Sequence, residues 1–328
     1  QLKAGMFSAP PFPERPPLAR MNRSSFDTTF GIQDRTGLTT TLADGTVVGH
    51  AEFGDPAGRP LLFFHGWPGS RLQARIIDGP ARKYGLRVLA PDRPGIGLSS
   101  PAPCARVAAW IPTLRAWTDQ LNLAGFYVLG VSGGGPYSLA CAALMPRRIA
   151  AAGVCCGVPP PRWLEESRDL FWLYRLLRRI DRGAPRLLVR LMNVTRLYLT
   201  VLPSPWSLRP FCLLMPRADR RALQRRGRMH LVVASTREAY AGGVPAVIAD
   251  ARRLQQPWGF DPGVVADPVY FWHGCQDRNI PLSLVRPFID SLKQARVHYF
   301  AAEGHYSLPF GRTPEILERL TSDRPESF

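Results

Sequence analysis

No stretch of this chain comes near the length of an apolar run that could span a bilayer, so it does not read as a transmembrane protein. Lysine is almost missing: Lys3, Lys83 and Lys293 are the only three, so 39 of the 42 basic residues, and nearly all of the net charge of +17, are arginine. The six cysteines, at 104, 141, 155, 156, 212 and 275, fall at no metal-binding spacing and several lie in apolar runs. They are expected to be reduced core residues of a cytoplasmic protein, with no metal and no cofactor. No Lys-Ser/Thr pair follows the one glycine cluster, which excludes a P-loop.

That cluster is what the rest of the chain is organised around. Phe126-Tyr-Val-Leu-Gly-Val131 is a short run of β-formers, Ser132 stands among Gly130, Gly133, Gly134 and Gly135, and small aliphatic residues follow. The pattern is strand, tight turn, buried helix. A serine at such an apex needs small neighbours, because a side chain at 130 or 134 would strike the adjacent strand and helix. Gly130-Val-Ser132-Gly-Gly134 thus reads as a nucleophile elbow, with the following N–H groups aimed where an oxyanion would form.

Two short β-rich runs, Thr36–Leu42 and Val47–Phe53, are joined by a hairpin signal at 43–46, and buried-strand patterns follow at 60–66, 86–91, 126–131 and 149–156 with helical segments between them. The alternation predicts an α/β fold, a mostly parallel central sheet flanked by helices. From Arg162 to Pro262 it stops. Amphipathic segments such as Asp169–Ile180 and Arg186–Leu202 take over, with 19 arginines against eight acidic residues. An inserted helical cap over 162–262 is expected, within a core made of 36–161 and 263–328. Leu170, Leu173, Leu176 and Leu177 are expected to face the core mouth, with Arg168, Arg175, Arg178 and Arg179 on the other side. The proline-rich residues 1–35 lack the apolar core of a secretion signal and read as an extended surface arm.

Serine is a poor nucleophile near neutral pH until a base takes its proton, and the base must be oriented by an acid. Asp277 follows the strand pattern Pro268–His273, and His305 follows Val297–Ala301, so both emerge at the sheet edge that carries Ser132. Taken alone, an Asp after a strand is usually a turn former and a His a structural residue. In the order Ser132, Asp277, His305 they make a catalytic triad the better reading.

With Phe64-His-Gly-Trp-Pro-Gly69, Ala90-Pro-Asp-Arg-Pro-Gly-Ile-Gly-Leu-Ser99, the elbow, Trp272-His-Gly-Cys-Gln-Asp277 and Glu303-Gly-His305, the chain resembles the α/β-hydrolase superfamily, in its capped serine-hydrolase branch with a GVSGG-type elbow. The resemblance implies Ser132 as nucleophile, His305 as base, Asp277 as acid, and an oxyanion hole from the backbone N–H groups of Trp67 and Gly133. It also implies support of the loop and elbow by His65, Gly66, Gly130 and Gly134, loop-bracing roles for Asp92 and Arg93, and a cis bond at Trp67-Pro68 as in relatives with an HGxP segment. Relatives that open epoxides or remove halides carry Asp at the elbow, and Ser132 sets this chain apart from them.

The function expected is hydrolysis of a carboxylic ester, lactone or thioester through an acyl-serine. Hydrolysis of a carbon–carbon bond in a β-diketone, peracid formation, and a ligand receptor without turnover on the same fold stay open. The partner expected is a small molecule. Two readings of the arginines stay open as well: a solvated surface, or a positive rim that draws in an anionic substrate. Nucleic acid is not expected, because the aromatics form no stacking platform, and contact with a membrane surface is the lesser expectation because the basic segments have another use as a lid.

Overall fold

The computed structural model describes residues 35–102, 105–164, 169–202, 206–225, 227–265 and 268–322. Residues 1–34 of the expected N-terminal arm, and Arg168, lie outside them. The elements, in order, are β1 Leu38–Thr41, β2 Val47–Gly54, β3 Arg59–Phe64, α1 Asp78–Lys83, β4 Leu86–Pro91, α2 Ile111–Gln120, β5 Phe126–Val131, α3 Gly135–Leu144 and β6 Ile149–Cys155. Six helices follow: α4 Trp172–Gly183, α5 Pro185–Val201, α6 Arg209–Leu214, α7 Arg217–Gln224, α8 Arg228–Ala239 and α9 Val244–Leu254. The chain closes with β7 Val269–Gly274, α10 Leu282–Asp290, β8 Ala295–Phe300, α11 Ser307–Gly311 and α12 Thr313–Ser322.

Eight strands form one sheet in the order β1-β2-β4-β3-β5-β6-β7-β8. β1 pairs antiparallel with β2 and β2 with β4, and every later pairing is parallel. The antiparallel start follows from the four-residue turn at 43–46, which can join only strands that run back on each other. The central strands are apolar on both faces because helices cover both. In β3, Leu61 and Phe63 pack into the cluster on one side of the sheet, and Leu62 and Phe64 into the cluster on the other.

Between β6 and β7 no strand occurs among the described residues. A third apolar cluster lies among these helices, with Leu188, Met192 and Leu199 of α5 against Val244, Val247 and Ile248 of α9 and Ile96 from the loop after β4. α4 is amphipathic, but its faces differ from the sequence expectation. It starts only at Trp172, Leu176 points outward at 42% exposure, and Arg178 turns toward the interior, where it donates to the Leu164 carbonyl at 3.1 Å. Leu170, ahead of the helix, is buried. α10 stops at Asp290, and β8 begins at Ala295, where it pairs with Val269.

Candidate active site

β5 delivers the chain to Ser132, whose φ of 54° lies in the left-handed region that side-chain-bearing residues seldom occupy. The reversal fits only because its neighbours are glycine. A Cβ on Gly134 would stand 2.0 Å from the Phe64 carbonyl oxygen, and one on Gly130 would stand 2.3 Å from that of Gly134. The turn feeds directly into α3, whose first residues, Gly135 and Pro136, tolerate the missing donor.

The loops after β7 and β8 bring two buried side chains to this apex. His305 Nε2 lies 3.1 Å from Ser132 Oγ, and His305 Nδ1 lies 2.7 Å from Asp277 Oδ2. The other carboxylate oxygen, Asp277 Oδ1, accepts the N–H groups of Asn279 and Ile280, each at 2.8 Å. Asp277 can only accept, so it fixes the proton on Nδ1 and leaves Nε2 free to receive one from Ser132. Burial alone would lower the His305 pKa, but the charge of Asp277, the hydrogen bond to it and the charge of Asp219 raise it above its ordinary value. Burial opposes ionisation of Asp277 too, and there the charge and hydrogen bond of His305 prevail and hold the carboxyl below its ordinary value. Cys156 Sγ comes within 4.8 Å of ligand atoms on Asp277 and His305. Burial pushes that thiol well up.

Asp219, on α7, goes unread in the sequence and is as well placed as the other three. Its Oδ1 accepts the N–H groups of Tyr306 and Ser307 at 2.9 and 2.8 Å, and its Oδ2 accepts that of His305 at 3.1 Å. A Cβ on Gly304 would stand 2.6 Å from either of its oxygens, so the glycine before His305 lets the carboxylate close over the loop. Burial raises the Asp219 pKa against the pull of the Ser307 and Tyr306 N–H groups and of the His305 charge. The available signal is helical phase: Asp219 shares a buried face with Ala222 and Leu223, three and four residues on.

Behind Ser132, the loop after β3 is held in place by buried charge. Arg93 donates to the carbonyls of His65 and Gly66 and forms a two-pronged pair with Asp250 of α9, Nε to Oδ1 at 2.9 Å and Nη2 to Oδ2 at 2.6 Å. Asp250 also takes Arg253 Nη1 at 3.2 Å. His65 Nδ1 donates to the Gly66 carbonyl at 2.9 Å, and burial with the Arg93 charge pushes its pKa down to about 3. A ring that stays neutral at any working pH keeps its one N–H for bracing the loop and takes up no second proton. Asp92 accepts the Arg71 and Leu98 N–H groups at 2.7 and 3.0 Å and pairs with the Arg71 guanidinium at 2.6 Å. The Trp67-Pro68 bond is cis, and the Trp67 indole N–H donates to the Val247 carbonyl at 2.9 Å. Two backbones come close here: a Cβ on Gly133 would lie 3.3 Å from the Trp67 nitrogen.

Ser132 sits where two apolar cavities meet. The smaller, of about 110 Å³, reaches past Gly133 to Leu164, Leu254 and Arg178. The larger, of about 350 Å³, contains His305 and runs out between α5, α6 and α8, past Leu199, Phe211 and Val232. Trp67, Tyr174, Leu177 and Met192 border both.

The sequence profile of the alpha/beta hydrolase fold matches residues 59–311. A non-heme chloroperoxidase from Streptomyces lividans is 35% identical over 127 residues, which are 37% of this chain and 45% of that protein. The chain spans less than half the length of the curated relatives it matches. Among solved structures, an esterase from a Rhodococcus species superposes with a TM-score of 0.61 at 18% identity, over 88% of this chain and 98% of that one. The enol-lactonase from Burkholderia xenovorans superposes with a TM-score of 0.60 at 14% identity, over 87% and 100%. At such identities the likeness is one of fold.

Proposed function

The chain belongs to the alpha/beta hydrolase fold family, and on that premise we propose that it is a serine hydrolase that cleaves a carboxylic ester, lactone or thioester through an acyl-serine. The observation that carries this reading is the unbroken line Ser132 Oγ, His305, Asp277, at 3.1 and 2.7 Å, at the junction of two apolar cavities.

In this reading His305 Nε2 takes the Ser132 proton as Oγ attacks the substrate carbonyl. The negative charge that develops on the carbonyl oxygen meets the N–H groups of Gly133 and Trp67, donors fixed by backbone before the substrate arrives. Asp277 stabilises the imidazolium, which then hands its proton to the departing oxygen or sulfur. Water enters along the same path, loses a proton to His305 and releases the acid. Because His305 must reach the leaving group, that group belongs in the larger cavity, which contains the imidazole, and the acyl group in the smaller one beside Gly133. A short or compact acyl chain on a bulkier apolar alcohol or thiol is the substrate shape this supports. The six-helix layer serves as the lid over both cavities.

The chloroperoxidase relative favours a second reading, in which hydrogen peroxide replaces water as acyl acceptor and a peracid leaves. Both readings share the acyl-serine. A fluorophosphonate probe is expected to label Ser132 in the wild-type protein and nothing in Ser132→Ala, which also loses at least about 10⁴-fold in ester turnover. Absence of labelling, with the fold intact by circular dichroism, sinks both readings and leaves a receptor. Peroxide added to the labelling-competent enzyme then separates the two by product.

A further inference from the structure

α5 is apolar on two opposite sides. Leu188, Met192 and Leu199 face inward into the cluster with α9. Leu187, Leu191, Val194, Leu197 and Val201, spaced four, three, three and four residues apart, form a second stripe that nothing in the described chain covers. Val194 is 65% exposed, Leu197 62% and Val201 68%. A helix apolar all round is ordinarily buried, and five aliphatic side chains in a row on a water-facing helix are far from the scattered apolar residues every surface carries.

The charge around the stripe says what it fits. From residue 182 to residue 218 the chain has six arginines, no lysine and no acidic residue. Arg186 and Arg190 stand exposed on the flank of the stripe itself. Further along, Arg209 lies over the ring of the exposed Trp206 with its guanidinium carbon 3.9 Å from the centroid, and Leu213 of α6 is 75% exposed. Aliphatic and Trp side chains beside unopposed guanidinium groups match an acyl boundary under anionic headgroups. A second copy of the chain fits poorly, because it would set these arginines against their own copies with no acid on that stretch to offset them. No helix among the described residues is long and apolar enough to cross a membrane, so the helix can only lie on one.

We propose that the outer face of α5 docks the protein on the surface of an anionic lipid bilayer. Thr195 and Leu199 of α5 and Phe211 and Leu214 of α6 wall the larger cavity, so docking turns its mouth toward the acyl chains. Substrates dissolved in the bilayer then enter without crossing water.

The test needs no catalysis and so stands apart from the hydrolase reading. The full chain is sedimented with vesicles of phosphatidylcholine alone and of phosphatidylcholine mixed with phosphatidylglycerol. Co-sedimentation with the mixed vesicles, weakening as salt is raised, is expected. Val194→Ser combined with Leu197→Ser is expected to cut that partitioning at least about tenfold at an unchanged melting temperature. Arg186→Gln with Arg190→Gln is expected to remove the preference for phosphatidylglycerol. Failure to bind either vesicle, or binding untouched by the serine pair, overturns the proposal. A concentration-dependent dimer of the wild type that the serine pair dissolves also overturns it and assigns the face to a second copy.

Discussion

The loops at the sheet edge and the helices above them hold their functional groups in opposite ways. At the edge the supporting groups are tied several times over: Asp277 accepts from three donors, and Arg93 reaches two carbonyls and a carboxylate. In the helical layer the polar ties are spread over several helices: Asp219 of α7 takes the His305 loop, Asp250 of α9 takes Arg93, Glu238 and Ser235 of α8 take Arg71 and Ser70, and Asp181 of α4 pairs with Arg252 of α9, while the inner face of α5 packs on apolar side chains of α9. Rigidity is concentrated where atoms must be placed to within tenths of an ångström, and the helical layer is joined to that edge by side chains distributed over α7, α8 and α9.

The contrast can be tested at the joints, beginning with the larger effect. Asp250→Ala leaves Arg93 wholly buried without its carboxylate, and a broken buried pair costs about 3–5 kcal/mol. A matching drop in the denaturant midpoint is expected. Retention of wild-type stability would mean that the loop after β3 does not depend on the helical layer.

Asp219→Asn is the milder cut. Asn keeps the acceptor for Tyr306 and Ser307 but turns a donor toward the His305 N–H, so the loop loosens and kcat/KM is expected to fall by about ten- to a hundredfold. A pH profile distinguishes positioning from simple damage. In the proposed mechanism His305 works as the neutral base, and its pKa lies above the ordinary value, so the rate is expected to fall as pH drops through that raised pKa. Asp219 contributes to the rise, so the variant's acid limb should move to lower pH, and a limb that stays put argues that the carboxylate only holds backbone. The smallest effect belongs to the outer side of the layer. Leu176→Ser, at an exposed position of α4, should change stability by less than about 0.5 kcal/mol.

How far each region could be read in advance follows from the same contrast. The elbow is written in adjacent residues, because the clash that a Cβ would cause at 130 or 134 is local and forces glycine. Asp277 and His305 are legible from their place after strands, since parallel strands deliver their following loops to one edge. Asp219 and Asp250 are not, because their partners lie 86 and 157 residues away and no spacing rule links them. Both looked like scattered acids in an arginine-rich stretch. The inward turn of Arg178 and the outward turn of Leu176 escaped for a related reason: the phase of α4 is set by where the chain enters it, and Trp172, not Asp169, is its first residue.

The carboxylate of Asp219 closes over the backbone of the loop that carries His305, from a helix belonging to the layer above. The boundary between scaffold and cover therefore does not coincide with the boundary between chemistry and recognition. A chimera that exchanged residues 162–262 for the helices of another hydrolase, intending to change only which molecules are admitted, would also remove the strut beneath its own base. Any such graft must carry an acid at the position of Asp219, or it will inherit a new pocket and a slower histidine.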